Sequence, residues 1–110
     1  MKETNFSMDR GRFETRRVAD EIPLFFRCIM WMLVDELVSD ESIQVDYLQI
    51  FRFSIRADEQ GNKVQILRHS QEQPPYEAIY EFPDVEEGLE MKVWCIDDGT
   101  TAVMTTPEER

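Results

Sequence analysis

Residues 23–39, PLFFRCIMWMLVDELVS, carry twelve apolar side chains in seventeen positions. A helix so composed needs cover on more than one side. Asp20 and Glu21 place negative charge by the positive helix end, and Pro23 suits the first turn, where its missing N–H leaves no bond unmade. A helical plot puts Phe26, Ile29, Leu33 and Leu37 on one face, while Arg27, Trp31 and Asp35 share the other with Leu24, Val34 and Val38. A sheet is expected under the first face. The second calls for a wrap by the chain's own terminal segments, or else for self-association or a partner.

The sheet is legible downstream. VDYLQIFRFSIRA, residues 45–57, is rich in β-branched and aromatic residues and apolar on both sides near its middle, as a central strand is. DEQGN at 58–62 is a turn, and residues 63–69 return as the hairpin partner. Gln73-Pro74-Pro75 interrupts the ladder because proline donates no backbone bond. Strands are expected at 76–82, 89–96 and 101–105, with Asp98-Gly99 turning between the last two. A short extended segment is also expected within 12–19. The fold class is therefore α+β, one main helix packed on a mainly antiparallel sheet of about five strands. Residues 1–12 read as a mobile arm before a single domain spanning 13–110.

Charge is the next constraint. The chain has 110 residues and a net charge of −11, distributed as +1 over residues 1–34, −3 over 35–69 and −9 over 70–110. Such a chain is not expected to bind nucleic acid directly or to sit on anionic lipid, since phosphate surfaces require Lys and Arg to displace counterions. The start lacks the apolar stretch of a signal peptide and no segment is long enough to span a bilayer, so a cytoplasmic location is expected.

A basic protein surface is the natural partner. Asp84, Glu86, Glu87 and Glu90, helped by Glu77, Glu81, Asp97 and Asp98, are the candidate contacts, with Trp94 or Trp31 supplying an apolar anchor. Trp94 shares its side of the strand with Glu90, Lys92 and Ile96 rather than with Met91, Val93 and Cys95, and that side faces either outward or under the helix.

Chemistry finds less footing. Asp97, Asp98 and Glu90 lack the ligand spacing of a metal loop, and Asp98-Gly99 is read more simply as a turn. His69 lies near Glu72 and Ser70, but no nucleophile or second acid stands at a diagnostic spacing. Cys28 and Cys95 have no CxxC or Cys/His spacing and are expected to be buried reduced thiols. No cofactor, metal or catalytic residue is expected. A metal-dependent hydrolase or nuclease is the weakest of the readings.

EIPLFFRCIMWMLVDEL (21–37), DYLQIFRF (46–53), HSQEQPPY (69–76) and KVWCIDDGTTAVMTTPEE (92–109) together resemble domain of unknown function family 960, over about residues 13–109. The resemblance implies a small protein of Gram-positive Firmicutes, often carried on mobile elements, and it brings no reaction. That setting includes acidic anti-CRISPR inhibitors of the RNA-guided nuclease of type II systems, whose positively charged channels hold guide and target. The leading expectation is thus a non-enzymatic inhibitor that binds such a groove and blocks guide RNA loading or DNA engagement. A homodimeric accessory protein of a mobile element is the alternative.

Overall fold

The computed structural model describes Phe6 and residues 11–110. It is a mixed α+β architecture: strand β1 (Arg12–Glu14), helices α1 (Arg16–Glu21) and α2 (Leu24–Ser39), then strands β2 (Leu48–Ala57), β3 (Lys63–Gln71), β4 (Tyr76–Phe82), β5 (Met91–Asp97) and β6 (Ala102–Thr105), closed by a 3-10 turn at Pro107–Glu109. The six strands form one sheet in the order β1-β6-β5-β2-β3-β4. Every pairing is antiparallel except that of β1, which runs parallel to β6 with Phe13 beside Val103.

The strand count is therefore six, against about five read from the sequence. The added strand is β1, three residues inside the 12–19 segment expected to be extended, whose residues 16–19 are helical instead; its partner lies some ninety residues away, so no local pattern announces its place in the sheet. The helical start is corrected too. Asp20 and Glu21 belong to α1, and Pro23 is the cap residue whose carbonyl accepts from the Phe26 and Arg27 N–H groups at 3.0 and 3.2 Å.

Alternation along the strands sorts the side chains into two faces. Phe51 and Phe53 of β2, Leu67 of β3, Val93 and Cys95 of β5, and Ala102 and Met104 of β6 lie under α2 and are buried. From the helix, Phe26, Met30, Leu33, Val34 and Leu37 answer them. Val34 thus belongs to the buried stripe rather than to the second face. Phe26 meets Phe53 and Phe82 edge to face at centroid separations of 5.4 and 5.2 Å, a geometry that adds to burial worth roughly 1.5–3 kcal/mol per large apolar side chain.

The second flank of α2 is held by the chain's own early residues. Arg27 Nη1 donates to Glu14 at 2.6 Å and Trp31 Nε1 donates to the same carboxylate at 3.1 Å. Arg12 is bound to Asp35 and lies over the Trp31 ring, 4.8 Å from its centroid. Val18, Ile22 and Phe6 are buried in the same core. Of the mobile arm expected over residues 1–12, residues 1–5 and 7–10 lie outside those described; Phe6 is core, and Arg12 is the first residue of β1.

Candidate functional site

The side of the sheet away from the helices has a different character. Lys92, Arg52 and Arg68 stand directly opposite one another across β5, β2 and β3. Neighbouring strands lie about 4.8 Å apart, so three cations fall within roughly 10 Å. Like charges in opposed positions destabilise a sheet, and all three side chains are exposed. Arg68 leans to Glu77 at 3.8 Å and Arg56, farther along β2, pairs with Glu81 at 2.7 Å. Arg52 and Lys92 form no ion pair among the described residues.

One step along the strands the same face presents Trp94 opposite Ile50, with Ser70 beyond it. Arg52 is the common wall of two adjoining grooves here. One, of about 610 Å³, is bounded by Ser54, Glu90, Lys92, Pro107 and Glu108; the other, of about 380 Å³, by Ile50, Arg68, Glu77, Trp94 and Pro107. Exposed apolar residues flank them. Phe13 on β1 is 57% exposed and Ile79 on β4 is 51% exposed, and both alternate onto this face. A surface of Trp, Arg and scattered aliphatic groups has the composition of a protein-binding face.

The residues expected from the sequence to act together are distributed over the molecule. Glu77 and Glu81 are on the open face but engaged with Arg68 and Arg56. Asp84, Glu86 and Glu87 are exposed in the segment that crosses from β4 to β5. That segment passes on the helix side: Gln65, whose side chain lies under the helix layer, exchanges hydrogen bonds with the Leu89 backbone at 2.7 and 3.0 Å. Gly88 there presses so closely on Ile55 that a Cβ would stand 2.2 Å from its Cδ1. Glu90 ends the segment at the rim of the cationic groove.

Asp97 and Asp98 are at the other end of β5, about 20 Å along the strand, and their carboxylates shape the turn. Asp97 accepts from the Gly99 N–H at 3.0 Å, and Asp98 from the Thr100 and Thr101 N–H groups at 3.1 and 2.8 Å. Those Thr101 and Thr100 bonds hold Asp98 down to a pKa of about 2. Trp31 is half-buried between α2 and β1, on the opposite side of the sheet from Trp94. Trp94 is half-buried as well, but on the face of the sheet away from α2.

The single histidine is structural in setting. His69 is 1% exposed, stacks on Phe51 at 4.4 Å and shares a 2.7 Å hydrogen bond between Nε2 and the Gln49 side-chain oxygen. Gln49 in turn donates to Gln71 at 2.8 Å, and Gln71 donates to the carbonyls of Gln44 and Pro74 at 2.8 and 2.9 Å. This buried row ties the 43–47 loop to β3. Burial lowers the His69 pKa from 6.5 to about 4, so the ring is neutral at ordinary pH. Both cysteines are free thiols. Cys95 is buried, and burial pushes its thiol pKa up; Cys28 is exposed on α2, contrary to the expectation for it. No group of three or more His, Cys, Asp or Glu residues among those described is arranged to hold a metal ion. No helix of the described residues is long and apolar enough to cross a membrane.

The cationic row is the feature that sequence reading missed. Arg52, Arg68 and Lys92 lie far apart in a net-acidic chain, and only the strand register brings them side by side.

Comparison with known proteins gives a family and a fold. The model of a family described as "Staphylococcal protein of unknown function (DUF960)" matches residues 11–109. A crystal structure of a protein of unknown function from Enterococcus faecalis superposes with a TM-score of 0.71 at 20% identity, covering 100% of this chain and 98% of that one. At that identity the likeness is one of fold. No curated protein matches.

Proposed function

The chain belongs to the DUF960 family, and from that premise we propose that it is a non-enzymatic binding protein that engages a protein partner through the open face of its sheet. One observation carries this reading: three cations in direct cross-strand register beside Trp94, on the face of the sheet opposite α2. A fold gains nothing from opposing like charges, and departures from local design rules concentrate where function demands them. The non-catalytic part is supported by the engagement of the polar groups elsewhere. His69 is enclosed in the core and Asp98 is consumed by its turn.

Affinity capture from extracts of a Gram-positive host tests it, with wild type compared against Trp94→Ala and Arg52→Glu. Loss of a specific bound protein in both variants, with retention in Asp84→Asn/Glu86→Gln/Glu87→Gln, is expected. An identical set of bound proteins for wild type and Arg52→Glu overturns the reading.

A second reading keeps the expectation of a basic partner. Asp84, Glu86 and Glu87 are exposed and make no ion pair among the described residues, so the crossing segment offers an acidic contact on the helix side. Inhibition of an RNA-guided nuclease is the narrower form of that reading. A nuclease assay with the triple neutral variant of these residues decides it, undiminished inhibition counting against the segment. A homodimer draws on the outer side of α2, where Leu24 and Phe25 are 63% and 58% exposed.

A further inference from the structure

We propose that the groove over Arg52 receives an acidic segment of a partner protein, two carboxylates lying on the Lys92–Arg52–Arg68 row and an adjacent apolar side chain resting on Trp94 and Ile50. The proposal deepens the open-face reading and rests on it.

Charge complementarity is the first argument. The chain has 23 acidic residues against 12 Lys and Arg, so carboxylates are plentiful, and they are placed against Arg12, Arg17, Arg27 and Arg56 within bonding distance. Among the described residues Arg52 and Lys92 are left without such a partner while standing opposite each other. Glu90 and Glu108 line the groove, and Glu77 reaches only the outer arginine, at 3.8 Å. An incoming carboxylate relieves a repulsion built into the free protein, and Arg binds it in a two-pronged geometry.

Dimensions select the kind of anion. The row is roughly 10 Å long, and in an extended segment alternate side chains project on one side about 7 Å apart. Two carboxylates at such positions fall within reach of three long cationic side chains. The next position on the sheet face, about 7 Å along the strands, is the Trp94–Ile50 pair. A lone inorganic anion leaves that pair uncovered. A nucleic-acid backbone continues its charge past the row, one per about 1.7 Å of duplex, onto Glu77, Glu81, Glu90 and Glu108. The acidic rim admits a short anionic contact and rejects a long one.

The test is an amide ¹H–¹⁵N titration of the full chain with the capped peptide acetyl-Glu-Ala-Glu-Ala-Phe-amide, whose two carboxylates and ring project on one side when it is extended, its Gln-Ala-Gln-Ala-Phe counterpart and a dodecathymidylate. The Glu peptide is expected to shift the amides of residues 50–54, 66–70 and 92–94 together with the Trp94 indole N–H. It is expected to bind about tenfold more tightly than the Gln peptide, and about tenfold more weakly after Arg52→Gln/Lys92→Gln, the scale of one charge-assisted contact. Arg52→Lys/Lys92→Arg should restore most of the affinity, which separates charge from any effect on folding. Equal affinity for the two peptides, shifts centred on α2 or on residues 84–90, or tighter binding of the oligonucleotide each overturns the proposal. If the peptides are not distinguished while protein capture still depends on Trp94 and Arg52, the acidic-segment inference falls and the open-face reading stands. If neither depends on the groove, both fall.

Discussion

The two sides of this sheet are built from the same strands and obey opposite rules. Under α2 the alternate residues are mostly apolar, joined by His69 and by glutamines whose side chains are hydrogen-bonded, and the aromatic rings of Phe26, Phe53 and Phe82 lock edge to face. Charges on that side are matched, Arg27 to Glu14 and Arg12 to Asp35. On the other side three cations oppose one another, and Phe13 and Ile79 stand in water. Alternation makes this division possible, because one strand can serve stability on one face and recognition on the other. The difference places the packing that holds the fold on the helix side, and the partner contact proposed above is our account of the open side.

The comparison can be broken most severely at Phe53. Truncation to Ala is expected to cost about 4 kcal/mol in urea unfolding, since a buried ring is lost and the helix cannot collapse fully onto the gap. Trp94→Ala, across the sheet, should cost about 1 kcal/mol or less. Equal losses at the two positions would mean that both faces are core.

Acid probes the helix side a second time. Because the folded pKa of His69, about 4, is below the ordinary 6.5, the unfolded chain takes up its proton first as pH falls. The stability contributed by the neutral ring is therefore complete above pH 6.5 and is lost progressively toward pH 4, by about 3 kcal/mol in all. Denaturation midpoints between pH 7 and 4 should show this slope, and His69→Leu should flatten it. Asp98, held down by its turn bonds, loses its share only below its ordinary 3.8, so the two effects separate on the pH axis.

The gentlest test sharpens the contrast from the open side. Arg52→Gln removes the centre of the opposed row and is expected to raise the melting temperature by about 2 °C while weakening acidic-peptide binding. A melting temperature lowered by the substitution would show that Arg52 holds the fold together rather than waiting for a ligand.

How much of this the sequence discloses depends on whether the information is local. The α2 segment and the cores of β2 to β6 follow from composition and period: 76–82 matches β4 end to end, and 101–105 differs from β6 by one residue. An extended segment was legible within 12–19, but its place in the sheet was not, because Arg-Phe-Glu is too short to have a period and its pairing is remote. Gln49, Gln65 and Gln71 are buried at strand positions where a polar side chain ordinarily signals solvent. Their inward alternation with Phe51, Phe53 and Leu67 was the available clue. The cationic row was hidden more deeply. Charge totals by segment report residues 35–69 as net negative, and register, a relation between strands, is invisible to any sum along one of them. The sequence does show Trp94 alternating with Val93 and Cys95, and only the structure says which of them looks outward.

The parallel seam between Arg12–Glu14 and Ala102–Met104 also sets an order of events. On a ribosome, β1 has no ladder to join until β6 has been threaded out, so the bonds of Glu14 to Arg27 and Trp31 lack the support of that seam before then. Assembly of this molecule closes a circle, and the helix waits for that clasp until the residues of β6 have been made.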